Sequence, residues 1–167
     1  MQSRYSIVAI LLALTVLAAA CAPQATPTAA PVVAPTSVPV TGPTSAPAAS
    51  GPANVALGTS AQFSSFLVDD KGMSLYLYTK DTPGTSACYG KCATAWPPLL
   101  TNGAPVGGNG LDASKFGTTT RTDGTVQATY NGWPLYYFAK DKAPGDTTGQ
   151  NVGTVWFLVS PSGDAVK

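Results

Sequence analysis

The sequence contains no histidine and no glutamate. Histidine is the commonest general base and the commonest metal ligand, so its absence argues against most acid–base and metal-dependent enzymes. The absence of glutamate, together with many Thr, Val, Tyr and Gly residues, weakens any helical interpretation. No Gly-x-Ser-x-Gly element and no phosphate-binding loop with Lys-Ser/Thr occurs. We therefore predict no catalytic residue, no metal site and no cofactor.

Charge is also scarce. Charged residues make up 10% of the chain, with nine Lys and Arg against eight acidic residues. One of the nine is Arg4, so its removal with an N-terminal leader would leave eight of each sign. A neutral surface argues against nucleic acid as a partner.

The N-terminus has the pattern of an export signal. Arg4 precedes an uncharged apolar run over residues 7–17, and small residues lead into Cys21. The run is too short to span a bilayer, which predicts a secretory signal peptide over residues 1–20. The Cys placement resembles a bacterial lipobox and predicts lipidation of Cys21, hence a membrane anchor on the extracytoplasmic face. The alternative is an ordinary cleaved signal with a spare thiol.

Residues 21–51 form a linker in which prolines recur at every fourth position from Pro23 to Pro47, without charges or aromatic residues. Such a segment cannot bury enough apolar surface to offset its ordering entropy. Proline favours extended geometry at about 3.1 Å per residue, so the spacer reaches up to roughly 90 Å. A proline-rich ligand for a recognition domain is the alternative.

The rest of the chain, residues 52–167, contains one stretch twice. Residues 72–81 and 132–141 share Gly, Leu, Tyr, an aromatic residue, Lys and Asp at a fixed offset of 60, and Trp96 and Trp156 share that offset. This indicates a single domain of two related repeats, at about 63–100 and 118–167.

Strand and turn signals predict an all-β fold, an antiparallel sandwich or barrel-like meander of seven or eight strands. One short helix is expected near the Cys pair, within 86–95, and a loop over 101–110. In the repeated strand, Leu75 and Leu77 alternate with Tyr76 and Tyr78, so both faces are apolar or aromatic. Each copy is therefore expected to be a central strand covered on both sides.

Several motifs together resemble one family. They are Gly-Met-Ser-Leu-Tyr, Cys-x3-Cys, Ala-Trp-Pro-Pro-Leu-Leu, Tyr-Asn-Gly-Trp-Pro-Leu-Tyr-Tyr-Phe and Pro-Gly-Asp-Thr-Thr-Gly-Gln, around two Tyr-x4-Asp elements. The set is similar to the secreted repeat of unknown function found in bacterial lipoproteins. The resemblance implies an exported, lipid-anchored protein and implies no activity.

The two Tyr-x4-Asp elements are Tyr76 with Asp81 and Tyr136 with Asp141. We favour a structural role, in which the Tyr ring packs in the core and the Asp carboxylate accepts N–H groups of the following Pro-Gly turn. The alternative is a cation or ligand site formed by oxygens of Asp141, Asp146, Thr147 and Asn151, although this spacing is not that of an EF-hand.

Cys88 and Cys92 are expected to form a disulfide, because thiols oxidise outside the cytoplasm. The alternative is an extracytoplasmic redox, electron-transfer or copper-handling site, with Met73 as a further soft ligand.

A third hypothesis is a stacking platform for envelope glycans, formed by Trp96, Trp133 and Trp156 with Tyr130 and Tyr137. Our overall expectation is a non-enzymatic structural or binding module, with a glycan or protein of the envelope as its possible partner.

Overall fold

The structure is a computed structural model that describes residues 49–167. The predicted signal peptide, Cys21 and almost all of the linker lie outside the described residues. Eight strands occur among residues 49–167: β1 Asn54–Gly58, β2 Phe66–Asp69, β3 Tyr76–Tyr78, β4 Val106–Gly107, β5 Phe116–Thr120, β6 Val126–Tyr130, β7 Trp133–Pro134 and β8 Trp156–Leu158. The described part has one α-helix, α1 (Lys91–Ala95), and two 3₁₀ turns, Ala113–Lys115 and Val152–Thr154. The all-β prediction with a short helix beside the Cys pair is confirmed.

The strands form three small sheets, ordered β2-β1-β4, β3-β8 and β5-β6-β7. Every pairing is antiparallel except that of β1 with β4. Single bridges connect the sheets, and the central one pairs Tyr76 with Tyr136.

Asp-Gly and Asn-Gly pairs occupy two tight turns between consecutive strands. β5 and β6 pair across the turn at Asp123-Gly124, where Gly124 has φ 81°. β6 and β7 pair across Asn131 and Gly132, whose φ values of 51° and 81° are both positive, as a type I′ turn requires.

The repeated strand separates two apolar clusters. Leu75, Leu77 and Leu135 belong to one cluster, while Tyr76 and Tyr136 belong to the other. All five side chains are at most 2% exposed. The prediction that both faces of each copy are covered is confirmed.

Local details differ from the sequence predictions. The second copy, expected to be a central strand, makes a ladder only at Trp133–Pro134, and beyond it Tyr136 alone pairs, through single bridges to Tyr76 and Pro98. The expected loop over 101–110 contains β4, which adds in parallel to β1. The strand β1 itself, Asn54–Gly58, was not predicted.

Candidate functional site

The two Tyr-x4-Asp elements are linked to each other across the repeats. The Tyr76 hydroxyl donates to Asp141 Oδ2 at 2.6 Å, and the Tyr136 hydroxyl donates to Asp81 Oδ2 at 2.7 Å. The backbones of the two tyrosines exchange N–H···O bonds of 2.8 and 2.9 Å. Each tyrosine therefore bonds the aspartate of the other repeat, the reciprocal pattern that two-fold symmetry produces. We call these two pairs the clasps.

Each clasp aspartate also receives a backbone N–H. Ala87 N–H donates to Asp81 Oδ1 at 2.7 Å, and Thr148 N–H donates to Asp141 Oδ1 at 3.1 Å. The predicted donors were the N–H groups of the Pro-Gly turns, but the observed donors lie three residues beyond those turns. Asp81 and Asp141 are buried, at 4% and 7% exposure, and each of their carboxylate oxygens accepts a hydrogen bond from the chain. A buried polar group needs such partners, which accounts for the motif in structural terms.

Matching glycines bring the turn of one repeat against the start of the other. Gly84 N–H donates to Gly132 O at 2.8 Å, and Gly145 N–H donates to Gly72 O at 3.0 Å. Gly72 has φ 79°, and a Cβ there would lie 3.0 Å from Cβ of Pro144. Glycine is therefore required at this position by both backbone geometry and space.

Four aromatic rings stack in one column between the clasps. The centroid distances are 4.1 Å from Tyr78 to Trp156, 4.0 Å from Trp156 to Trp96 and 4.2 Å from Trp96 to Phe138. The corresponding interplanar angles are 11°, 3° and 24°. Equivalent positions of the two repeats alternate along this aromatic column, so each repeat contributes two rings.

The clasp tyrosines meet the column edge-on. Tyr76 lies 5.4 Å from Trp96 at 76°, and Tyr136 lies 5.2 Å from Trp156 at 88°. Such T-shaped contacts stabilise the core beyond the contribution of the apolar area that the rings bury.

The column corrects the hypothesis of a tryptophan platform. Trp96 and Trp156 are each only 5% exposed, so their faces are occupied by neighbouring rings. Trp133 is half-buried and packs against the other apolar cluster, as does Tyr137. Tyr130 is fully buried. The alternating pattern of aromatic residues reflects core packing on both sides of the repeated strands.

A buried arginine adjoins one clasp only. Arg121 is 3% exposed, and its guanidinium donates to Ser86 Oγ at 2.9 Å, Gln127 Oε1 at 2.7 Å and Cys88 O at 2.7 Å. Ser86 Oγ lies 2.8 Å from the Tyr136 hydroxyl, which connects the arginine to that clasp. Arg121 was not predicted as a site residue, and no local signal marks it, because its partners Ser86 and Cys88 lie 35 and 33 residues away along the chain.

Burial governs the ionisation of the clasps. It raises the pKa of Tyr76 and of Tyr136 far above the ordinary value, and the facing carboxylates act in the same direction. Burial also raises the pKa of Asp81, while the Ala87 N–H, Tyr136 and Arg121 partly oppose this shift. The tyrosines therefore remain protonated hydrogen-bond donors at physiological pH.

Cys88 and Cys92 form the expected disulfide, with Cα atoms 5.2 Å apart. Cys92 lies in α1, and Cys88 is fully buried. Gly149 takes the place of Cys88 in the second repeat, so the bridge belongs to one repeat. Both sulfurs are bonded to each other, which leaves no thiolate pair for a Cu(I) ion in this state.

The two carboxylates of the alternative cation site are engaged separately. Asp146 Oδ2 accepts the N–H groups of Lys142 and Ala143 at 2.7 and 2.9 Å, whereas Asp141 is held by Tyr76 and Thr148. Residues 49–167 contain no group of three or more Cys or Asp residues placed to hold a metal ion.

A cavity of about 270 Å³ lies away from the clasps. It is lined by Ala49 and by residues 100–102 and 124–126. None of the lining residues belongs to a clasp or to the aromatic column.

Fold and clasps together define an all-β domain of two related units that close on each other. The chain belongs to the family described as "Secreted repeat of unknown function", which matches residues 65–100 and 117–160. Membership of a secreted family implies export. No curated protein and no solved structure matched the chain. Within residues 49–167, no helix has the length and apolar character needed to cross a membrane.

Proposed function

We propose that the protein is a non-enzymatic extracytoplasmic module that is tethered to the cell membrane through acylated Cys21, with residues 22–51 as its spacer. The observation that carries the proposal is the reciprocal engagement of both Tyr-x4-Asp elements inside the domain. Groups that perform turnover must meet a substrate, whereas these four side chains are buried and meet each other.

The clasps leave no reactive group free. Each carboxylate accepts from a tyrosine and from a backbone N–H, and each tyrosine is held protonated by burial. The aspartates are therefore poor candidates for a general base toward an outside substrate, and the tyrosines are poor nucleophiles toward one. Their role in this proposal is to fix two repeats into one rigid body that presents its outer surface to an envelope partner.

The tether is tested on the full-length precursor expressed in a bacterial host. Cells are fed an alkyne-tagged fatty acid, and the protein is followed by click labelling and by sedimentation with membranes. The wild type should carry label and sediment with the membranes, whereas Cys21→Ser should lose the label and leave the membrane fraction.

The other two cysteines supply the matched control. A variant with both Cys88→Ser and Cys92→Ser should carry as much label as the wild type, because acylation is placed at Cys21 alone. Equal labelling of Cys21→Ser and the wild type would disprove the tether.

A further inference from the structure

The aromatic column joins oxidisable rings at van der Waals contact. Indole and phenol are the most easily oxidised side chains that remain once the cysteines form a disulfide. The two indoles, Trp96 and Trp156, overlap almost parallel at 4.0 Å, so an electron vacancy on one ring is shared with the other. Tyr78 extends the overlap at 4.1 Å beside Trp156. Three oxidisable rings in series therefore form a continuous path through the second apolar cluster.

The column is open at one end only. Tyr78 is partly exposed, whereas Phe138, at the equivalent position of the other repeat, is 8% exposed and carries no hydroxyl. Phenylalanine is much harder to oxidise than tyrosine or tryptophan. A vacancy that enters at Tyr78 is therefore confined to the two indoles and to the rings in contact with them.

Those neighbouring rings are the clasp tyrosines, and each has a proton acceptor in place. A phenol that loses an electron becomes a strong acid, so a phenol shielded from solvent is oxidised only where a base lies at hydrogen-bond distance. Asp81 lies 2.7 Å from the Tyr136 hydroxyl and Asp141 lies 2.6 Å from the Tyr76 hydroxyl, both within the range for proton transfer. Asp81 and Asp141 are at most 7% exposed, so the acceptors are shielded from bulk water.

We propose that the domain is a one-electron relay that starts when an external one-electron oxidant takes an electron from Tyr78, whose phenolic proton passes to solvent because the ring is partly exposed. Tyr78 then regains an electron from the stacked indoles and a proton from solvent, and the vacancy comes to rest on a clasp tyrosine. In the last step the Trp156 radical cation takes an electron from Tyr136. The O–H bond of Tyr136 breaks, and its proton passes to Asp81. The products are the reduced oxidant, a neutral Tyr136 radical and a neutral Asp81 carboxylic acid. At the other clasp, the same step involves Trp96, Tyr76 and Asp141.

Burial of the clasp tyrosines in the core prolongs the lifetime of the radical. The rings are closely packed, so molecules that would quench a radical do not reach the phenol oxygen directly. The relay is an activity beyond the structural role of the clasps, and it uses the same hydrogen bonds.

The experiment uses the full exported chain with tris(bipyridine)ruthenium(III) as oxidant, generated by light with a cobalt(III) sacrificial acceptor. Samples are frozen after the flash and examined by electron paramagnetic resonance, with ring-deuterated tyrosine to identify the signal. The wild type should give a tyrosyl radical. The double variant Asp81→Asn with Asp141→Asn should lose that signal and retain an indole radical, because the phenol no longer has a base.

Tyr78→Phe tests the entrance without disturbing the stack, since a phenyl ring stands at the equivalent position in the other repeat. We expect slower radical formation in this variant. Tyr130→Phe is the matched control: Tyr130 is fully buried, but its hydroxyl donates to Pro161 O and not to a carboxylate. It should leave both the yield and the rate unchanged, and near-ultraviolet circular dichroism confirms that each variant is folded. The same tyrosyl yield in the folded aspartate variant as in the wild type would overturn the relay, as would a Tyr78→Phe rate equal to that of the wild type.

Discussion

The clasps predict which tyrosine and which aspartate depend on each other energetically. Tyr76→Phe removes a buried hydrogen bond to the Asp141 carboxylate while the ring contacts with Trp96 remain. A hydrogen bond to a charged group is worth about 1.5–3 kcal/mol. For a domain of this size that loss lowers the melting temperature by roughly 5–15 °C.

A double-mutant cycle separates the clasp from general destabilisation. We expect a coupling energy of about 1 kcal/mol between Tyr76→Phe and Asp141→Asn, because the second substitution has less to remove once the hydroxyl is gone. Asp81, in the same repeat as Tyr76, shares no hydrogen bond with it and bonds Tyr136 instead. The cycle of Tyr76→Phe with Asp81→Asn should therefore be additive within about 0.5 kcal/mol.

The assay is urea unfolding of the full chain with the disulfide intact, followed by tryptophan fluorescence. Variants are compared where the slope of the free energy of unfolding against urea concentration is the same. A change in midpoint then reports a change in stability. The mirror cycle, Tyr136→Phe with Asp141→Asn and with Asp81→Asn, serves as the control and should show coupling only to Asp81. Stronger coupling within a repeat than across the repeats would refute the reciprocal arrangement.

Three further predictions concern other parts of the domain. Replacing Cys88 and Cys92 together by Ser should lower the free energy of unfolding by about 2 kcal/mol, since the closed loop is short. Urea unfolding measures this loss, and an unchanged free energy of unfolding would contradict the prediction. The folded state raises the pKa of Asp81, so its stabilising contribution is full below the ordinary carboxyl pKa of 3.8 and is lost as pH rises through the folded pKa. Wild type should therefore lose stability relative to Asp81→Asn as pH rises above 3.8 in a series of urea titrations; an opposite slope would disprove this sign. Gly149→Ala places a Cβ 2.8 Å from a tyrosine ring carbon and should cost about 1–3 kcal/mol in thermal unfolding, whereas Gly51→Ala, with open space around it, should change nothing measurable.

The sequence was informative wherever local chemistry decides the structure. Positive φ at Asn131 and Gly132 follows from residue type, so the turn between β6 and β7 could be read directly. The alternation of Leu75, Tyr76 and Leu77 likewise indicated a strand covered on both faces. The fixed offset of 60 between the copies predicted two related units.

The partners across the repeats could not be read in the same way. A tyrosine and an aspartate five residues apart suggest a local contact, whereas the fold places Tyr76 against Asp141, 65 residues along the chain. The bridge between Tyr76 and Tyr136 sets this pairing, and it depends on how two strands of different repeats meet. The tryptophan platform stayed open as a hypothesis for a related reason, because 60-residue spacing does not tell whether Trp96 and Trp156 face outward or stack on each other.

The reciprocal clasps also explain why the unit occurs in tandem. One repeat alone would bury a tyrosine hydroxyl and an aspartate without their partners, at about 1–3 kcal/mol or more for each unsatisfied group. It would also lose half of the aromatic column, in which Trp156 of one repeat lies between Tyr78 and Trp96 of the other. Marginal stability leaves little room for such losses in a domain of this size. Two copies in one chain satisfy both sets of groups at once, so the repeat functions as half of a domain and its duplication is a requirement of the fold.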